Sequence, residues 1–340
     1  MPASAWLTDP LVLARFLHIA GCVVAVGTAA FAVLAADATT AATPELMRLH
    51  RRWRAIVIAA AAVAALAGAA WLAVVTADIL GTPVLAAALN GGLWSVATGT
   101  QFGQFATARL ALALLLLVPV WPSRLRLGLT LGLIVLIAPS GHAGAQAGIW
   151  GNVHLGADAL HLAAAGVWLG GLPGLAMLLG AAHRGLPALQ ASAVRTTARF
   201  SILGIVCVGV LVATGTVNSW FLLSAPSDLV TTFYGRVLTL KIIVFAALVA
   251  IAAVNRVVLT PHLAAAGAVR ALRRNVLAEA GLGLGVLFLV AVLGTLQPAT
   301  HTHGHTAIPS TAAFVHAHTG LTPIVIAPQP MQKFVTRAGS

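Results

Sequence analysis

The chain has 340 residues, 60% of them hydrophobic and 8% charged, with a formal net charge of +12. That much apolar surface exceeds what a soluble domain of this length buries, and the runs of 18 or more apolar residues are spanning-helix candidates, so the expected fold is an all-α polytopic membrane protein. The basic residues lie in short loops between apolar runs rather than on one soluble face, which excludes a nucleic-acid-binding surface.

The first predicted span, 11–36, carries His18 in Leu17-His18-Ile19-Ala20, with Cys22 one turn further on and Gly27 nine residues on. No basic residue precedes Arg15, so the run lacks the charged leader of a secretory signal. The second span, 55–78, follows Arg48, Arg51, Arg52 and Arg54, and the third, 100–121, places Arg109 two to three turns inside its outer end. After the tight connection Pro119-Val120-Trp121-Pro122 comes the fourth span, 126–141, which ends in the turn Ser140-Gly141-His142-Ala143-Gly144.

The fifth span, 153–180, opens after Asn152, an expected N-cap. His154, Asp158 and His161 follow at i, i+4 and i+7, one helical face, with the first and last roughly 10 Å apart along the axis. His142 in the preceding turn can fold over that face. Spans six to eight are expected at 199–223, 233–257 and 275–297; they contribute Asn218, Lys241 and Glu279, the last near enough to the inner end to be solvated.

The chain is internally duplicated. Leu160-His161-Leu162-Ala163 matches Leu17-His18-Ile19-Ala20 at an offset of 143, and Gly170 then matches Gly27. Val57, Ala64 and Trp71 match Val206, Ala213 and Trp220, while Phe102-Gly103, Thr107 and Arg109 match Tyr234-Gly235, Thr239 and Lys241. The offsets of 149 and 132 make the loop between spans two and three 17 residues longer than its counterpart. Eight transmembrane helices thus form two parallel four-helix repeats, 11–141 and 153–297, inside one membrane domain, 1–297. The loops after odd-numbered spans hold thirteen arginines and the opposite loops with the N-terminus only Arg236, so both termini are expected outside the cytoplasm. Residues 298–340 read as a disordered outer tail in which His301, His303 and His305 form a metal-collecting tract.

An imidazole inside a bilayer is expensive and usually marks a site. His18, His142, His154 and His161 with Asp158 make a ligand set suited to copper or zinc near the outer face, Asp158 either as ligand or as orienter of a histidine. Alone, each histidine could equally hydrogen-bond a carbonyl. Cys22 could offer a thiolate to Cu(I), or simply pack, as its counterpart Ala165 suggests. Arg109 and Lys241 either repel cations, hold a carboxylate such as Asp158, bind an anionic group, or snorkel to the outer interface. The chain has no Gly-x-x-x-x-Gly-Lys-Ser/Thr phosphate loop and no Gly-x-Ser-x-Gly or His-Glu-x-x-His signature, so nothing supports an ATP-driven pump or a hydrolase.

Ser140-Gly141-His142-Ala143, the run from Asp158 through His161, Trp168 and Gly170 to Pro173, and Tyr234-Gly235-Arg236-Val237-Leu238, Lys241 and Asn255-Arg256 together resemble the copper-resistance protein D family (CopD/PcoD). The resemblance implies an inner-membrane protein that handles copper, commonly in uptake, alongside a periplasmic copper-binding CopC partner expected here as a separate chain. It assigns His142, His161, Trp168 and Gly170 to the family motif. Two functions follow as expectations. One is a copper transporter with no enzymatic activity; the other is a b-type haem protein with His18 and His161 as axial ligands.

Overall fold

In a computed structural model, the residues described are 3–37, 43–141, 144, 148–184, 187–263 and 265–298. Among them the chain is helical, with no strand. Seven helices are long and apolar enough to cross a membrane: Pro10–Ala36, Pro44–Leu80, Ser123–Ser140, Gly148–Ala182, Leu189–Leu222, Phe233–His262 and Gly267–Leu293.

A short helix α1 (Ala3–Thr8) precedes α2 (Pro10–Asp37). Asp9 starts α2 by accepting from the amides of Leu11 and Val12, and Pro10 costs nothing at a position whose amide has no helical partner. Helix α3 (Pro44–Leu80) is capped at both ends: Thr43 Oγ1 accepts from the Leu46 amide at 3.2 Å, and Gly81 closes it at φ 61°. Its 37 residues extend about 55 Å, well past a hydrocarbon core of about 30 Å. The arginines 48–54, expected in a loop, therefore ride on the projecting helical turns. The same holds for Arg195 and Arg199 at the start of α9.

The third expected span is shorter than anticipated. Helices α4 (Val84–Leu89) and α5 (Gly92–Gly99) occupy the long loop, and α6 (Gln101–Leu116) has 16 residues, about 24 Å. Then follow α7 (Ser123–Val135), whose end continues into a 3₁₀ turn at Ala138–Ser140, α8 (Gly148–Ala182), α9 (Pro187–Leu222), the short α10 (Asp228–Thr231), α11 (Phe233–Val254) and α12 (Ala266–Leu293). A π turn, Asn255–Leu259, extends α11.

Helices α2 and α8 form the centre of the bundle. Helix α2 packs on α3 and α7, α8 packs on α9 and α12, and α2 and α8 also pack on each other. At their crossing Gly27 lies against Gly170, so that a methyl on Gly27 would overlap the Gly170 backbone and one on Gly170 would overlap the Val23 carbonyl, and Thr28 Oγ1 donates to the Gly170 carbonyl. Only glycine permits this approach. A second pair of matched positions starts α6 and α11. Thr100 Oγ1 accepts from the Gly103 amide and donates to the Val96 carbonyl; Thr232 Oγ1 accepts from the Gly235 amide and donates to the Asp228 carbonyl. Both glycines pass against the same carbonyl that their threonine caps. The matched tryptophans diverge, Trp71 being buried and Trp220 82% exposed.

Candidate functional site

Asp158 and His161 sit half-buried on one face of α8, against α9. The Thr214 hydroxyl donates to the Val210 carbonyl at 2.6 Å, so its oxygen accepts from His161 Nδ1 at 3.0 Å. That bond fixes the proton on Nδ1 and leaves the Nε2 lone pair for another partner. One turn toward the N-terminus of α8, Asp158 Oδ1 accepts from Asn218 Nδ2 at 3.3 Å, and Asp158 Oδ2 faces Gly141, where an added Cβ would lie 4.0 Å away. The Lys241 ammonium of α11 is near enough to act electrostatically on Asp158 and His161. His154 is buried and stacks on Phe221, with ring centroids 4.7 Å apart.

His18 is placed otherwise than expected. Its Nδ1 donates to the Ala64 carbonyl at 2.8 Å, the Cys22 thiol lies 3.8 Å from Nε2, and Trp71 packs edge-on against the ring. The guanidinium groups of Arg15 and Arg109 lie over Trp71 at 4.7 and 5.2 Å from the ring centroid. A sealed imidazole beside two cations is a poor seat for a metal cation. Among the described residues, no three His, Cys, Asp or Glu side chains come together in a metal-holding arrangement. The joint set of His18 with His154, Asp158 and His161 is thus not formed by these residues. His142 and the tail residues His301, His303 and His305 lie outside the described residues.

The structure decides among the alternatives left open for Arg109 and corrects the expectation for Glu279. Arg109 does not snorkel: it is 2% exposed and donates inward to the Leu136 carbonyl at 2.7 Å and Ser140 Oγ at 2.6 Å, where a cation suits the C-terminal end of α7. Glu279 is not solvated. It is buried, and its Oε1 accepts from Asn255 Nδ2 at 2.5 Å, while Asn255 Oδ1 accepts from Asn275 Nδ2 at 2.8 Å. This carboxamide–carboxylate chain escaped the sequence reading, although Asn255 follows directly on the apolar run of α11. It borders a cavity of about 240 Å³ between α8, α9, α11 and α12, also lined by Trp168, Phe200 and Val249. Trp168 lies two turns from His161 toward the C-terminus of α8, so the cavity begins about two turns along the helix from the Asp158–His161 cluster.

Residues 4–152 match the family described as copper resistance protein D-like, N-terminal domain, and residues 194–293 match copper resistance protein D. Inner membrane protein YebZ of Escherichia coli (strain K12) is 30% identical over 227 residues, which cover 61% of this chain and 72% of that protein. Copper resistance protein D of Pseudomonas syringae pv. tomato is 34% identical over 48% of this chain and 56% of its own length. Copper transport protein CutJ of Bacillus subtilis (strain 168) is 32% identical over 41% of this chain and 24% of its own. No solved structure matches. The two family matches leave out residues 153–193, where Asp158 and His161 lie.

Proposed function

The chain belongs to the copper resistance protein D family, and on that premise we propose that it carries copper across the cytoplasmic membrane, receiving the ion at the Asp158–His161 cluster. The observation that supports this reading is the orientation of His161: with Nδ1–H donated to Thr214, Nε2 is held open for a borderline-to-soft cation beside a carboxylate. His142, next in sequence to the Gly141 that adjoins Asp158, is the further ligand of the proposed site, while His154, two turns from His161 and stacked on Phe221, stands outside that shell. Lys241 balances the Asp158 charge while the site is empty, and an arriving cation takes its place. The ion then moves along α8 past Trp168 into the cavity that ends at Glu279.

The proposed frame is two four-span repeats, with α6 as the third span. It is supported by the matched Thr100 and Thr232 caps, the Gly27–Gly170 contact and the parallel packing of α2 with α7 and α8 with α12. Both termini lie outside in this reading, so His301, His303 and His305 gather copper there, or receive it from a CopC-like periplasmic partner. The tail would raise local metal concentration without forming part of the path.

Elemental analysis of copper per protein in wild type, His161→Ala and a truncation of residues 298–340 tests the site. Copper falls more in His161→Ala than in the truncation. Equal copper in wild type and His161→Ala, with loss only on removing the tail, overturns the proposal. A Soret band in the purified protein would favour the haem reading instead, against which the sealed surroundings of His18 argue.

A further inference from the structure

A second cavity, of about 210 Å³, opens between α2, α3 and α7 at the end of the bundle where the arginine-rich segments meet. Its contents differ sharply from those of the cavity at Glu279. The mouth carries the exposed Arg51 and Arg54 of α3; the floor is the buried Trp53 and Arg126, with His50 and Trp121 on the walls. No carboxylate is among the residues that line it. Arg54 and Arg126 lie near enough to repel each other, so the empty cavity holds uncompensated positive charge.

Three of the residues that line this cavity each carry a buried nitrogen without a hydrogen-bond partner: Trp53 Nε1, Arg126 Nε and His50 Nε2. Trp53 Nε1 and Arg126 Nε are donors, and a buried donor left unpaired is costly and rare, so the two together mark a position for something that accepts, with His50 Nε2 beside them as an open acceptor of the neutral ring. Each is held in place by bonds made elsewhere on the same side chain or its ring. Arg126 Nη2 donates to the Trp121 carbonyl, His50 Nδ1 donates to the Leu46 carbonyl at 3.0 Å, and Trp53 is wedged edge-on between His50 and Phe31 at 4.9 and 5.3 Å. Trp121 is in turn tied by its Nε1 to the Leu115 carbonyl at 2.8 Å. The cavity is therefore built, with its donors fixed before any ligand arrives.

We propose that this cavity binds a phosphate group, its oxygens accepting from Trp53 Nε1 and Arg126 Nε on the floor and from the Arg51 and Arg54 guanidiniums at the mouth. Arginine forks match phosphate oxygens, and several donors converging from different directions suit a tetrahedral anion better than a planar carboxylate. The imidazole at His50 meets the same group, as a donor when charged and as an acceptor from a phosphate or glycerol hydroxyl when neutral. The phosphate comes either from an anionic lipid headgroup, which basic pockets between membrane helices commonly hold, or from solution.

The test uses the full-length protein in nanodiscs of phosphatidylcholine. Phosphatidylglycerol is introduced into the discs in one series and inorganic phosphate into the buffer in another; bound lipid is counted by native mass spectrometry and Tm is followed in both. The wild type retains one phosphatidylglycerol or gains Tm with inorganic phosphate, and the double variant Arg51→Gln/Arg54→Gln loses roughly tenfold or more in affinity, as expected for charge-assisted hydrogen bonds. Arg274→Gln, an exposed arginine outside the cavity, behaves as wild type. A response to phosphatidylglycerol alone identifies a headgroup site, and a response to inorganic phosphate alone a soluble-anion site. If the double variant binds both probes as the wild type does, or if Arg274→Gln loses as much, the arginines act only as surface charge and the proposal fails.

Discussion

Thr214→Val isolates the orientation of His161, because it removes one oxygen while keeping nearly the same side-chain shape. In the wild type that oxygen accepts from His161 Nδ1 at 3.0 Å and spends its own proton on Val210. Val210 keeps its helical bond when the hydroxyl is lost, so the effect falls on the imidazole. With a methyl group opposite, Nδ1–H either stays unpaired or gives its proton to Nε2, and in the second case the lone pair that copper needs is gone. Leaving a buried donor unpaired costs about 1–3 kcal/mol. Copper binding must overcome that cost, which corresponds to a rise in Kd of about 5- to 140-fold at 1.4 kcal/mol per tenfold. The range agrees with the roughly 10- to 100-fold losses seen when the partner of a metal-ligating histidine is removed. Thr214→Ser keeps the oxygen and should bind as wild type. Copper titration against a competing chelator, on purified protein with residues 298–340 removed, reads the site without the tail. Wild-type affinity in Thr214→Val, alongside loss in His161→Ala, would refute the claim that Thr214 sets the imidazole.

Gly170→Ala places a methyl group into the Gly27 and Val23 backbone at the α2–α8 crossing, and should destabilise by about 1–3 kcal/mol. Gly285→Ala on α12, where an added Cβ meets nothing, should be neutral or gain up to about 1 kcal/mol of helix propensity. Thermal unfolding in detergent compares the two, and equal effects would refute the close crossing. For topology, reporter fusions after residue 300 should be active only outside the cytoplasm; activity confined to the cytoplasm would reverse the orientation.

Much of the framework was legible in the residues themselves. Transfer of an apolar run into lipid depends on composition summed over a turn or more, so the membrane helices could be read without knowing their neighbours. The pairing of Gly27 with Gly170, at the same offset of 143 as His18 and His161, could be read from the chain too, and those two glycines meet at the α2–α8 crossing. Helical spacing put Asp158 and His161 on one face of α8, and both lie there against α9. Three aspects were decided only by packing. Which group an intramembrane polar side chain meets depends on the rotation of the neighbouring helix: two histidines from matching sequences therefore differ, His161 meeting a threonine hydroxyl and His18 a carbonyl, sealed under Trp71 and two arginines. Long side chains with one address in sequence have several in space, and so Arg109 turned inward to the end of α7 and Glu279 was buried against Asn255. Cavities belong to no single segment. The one that gathers His50, Trp53 and Arg126 exists because α2, α3 and α7 diverge around donors that are adjacent in space but up to 76 positions apart along the chain.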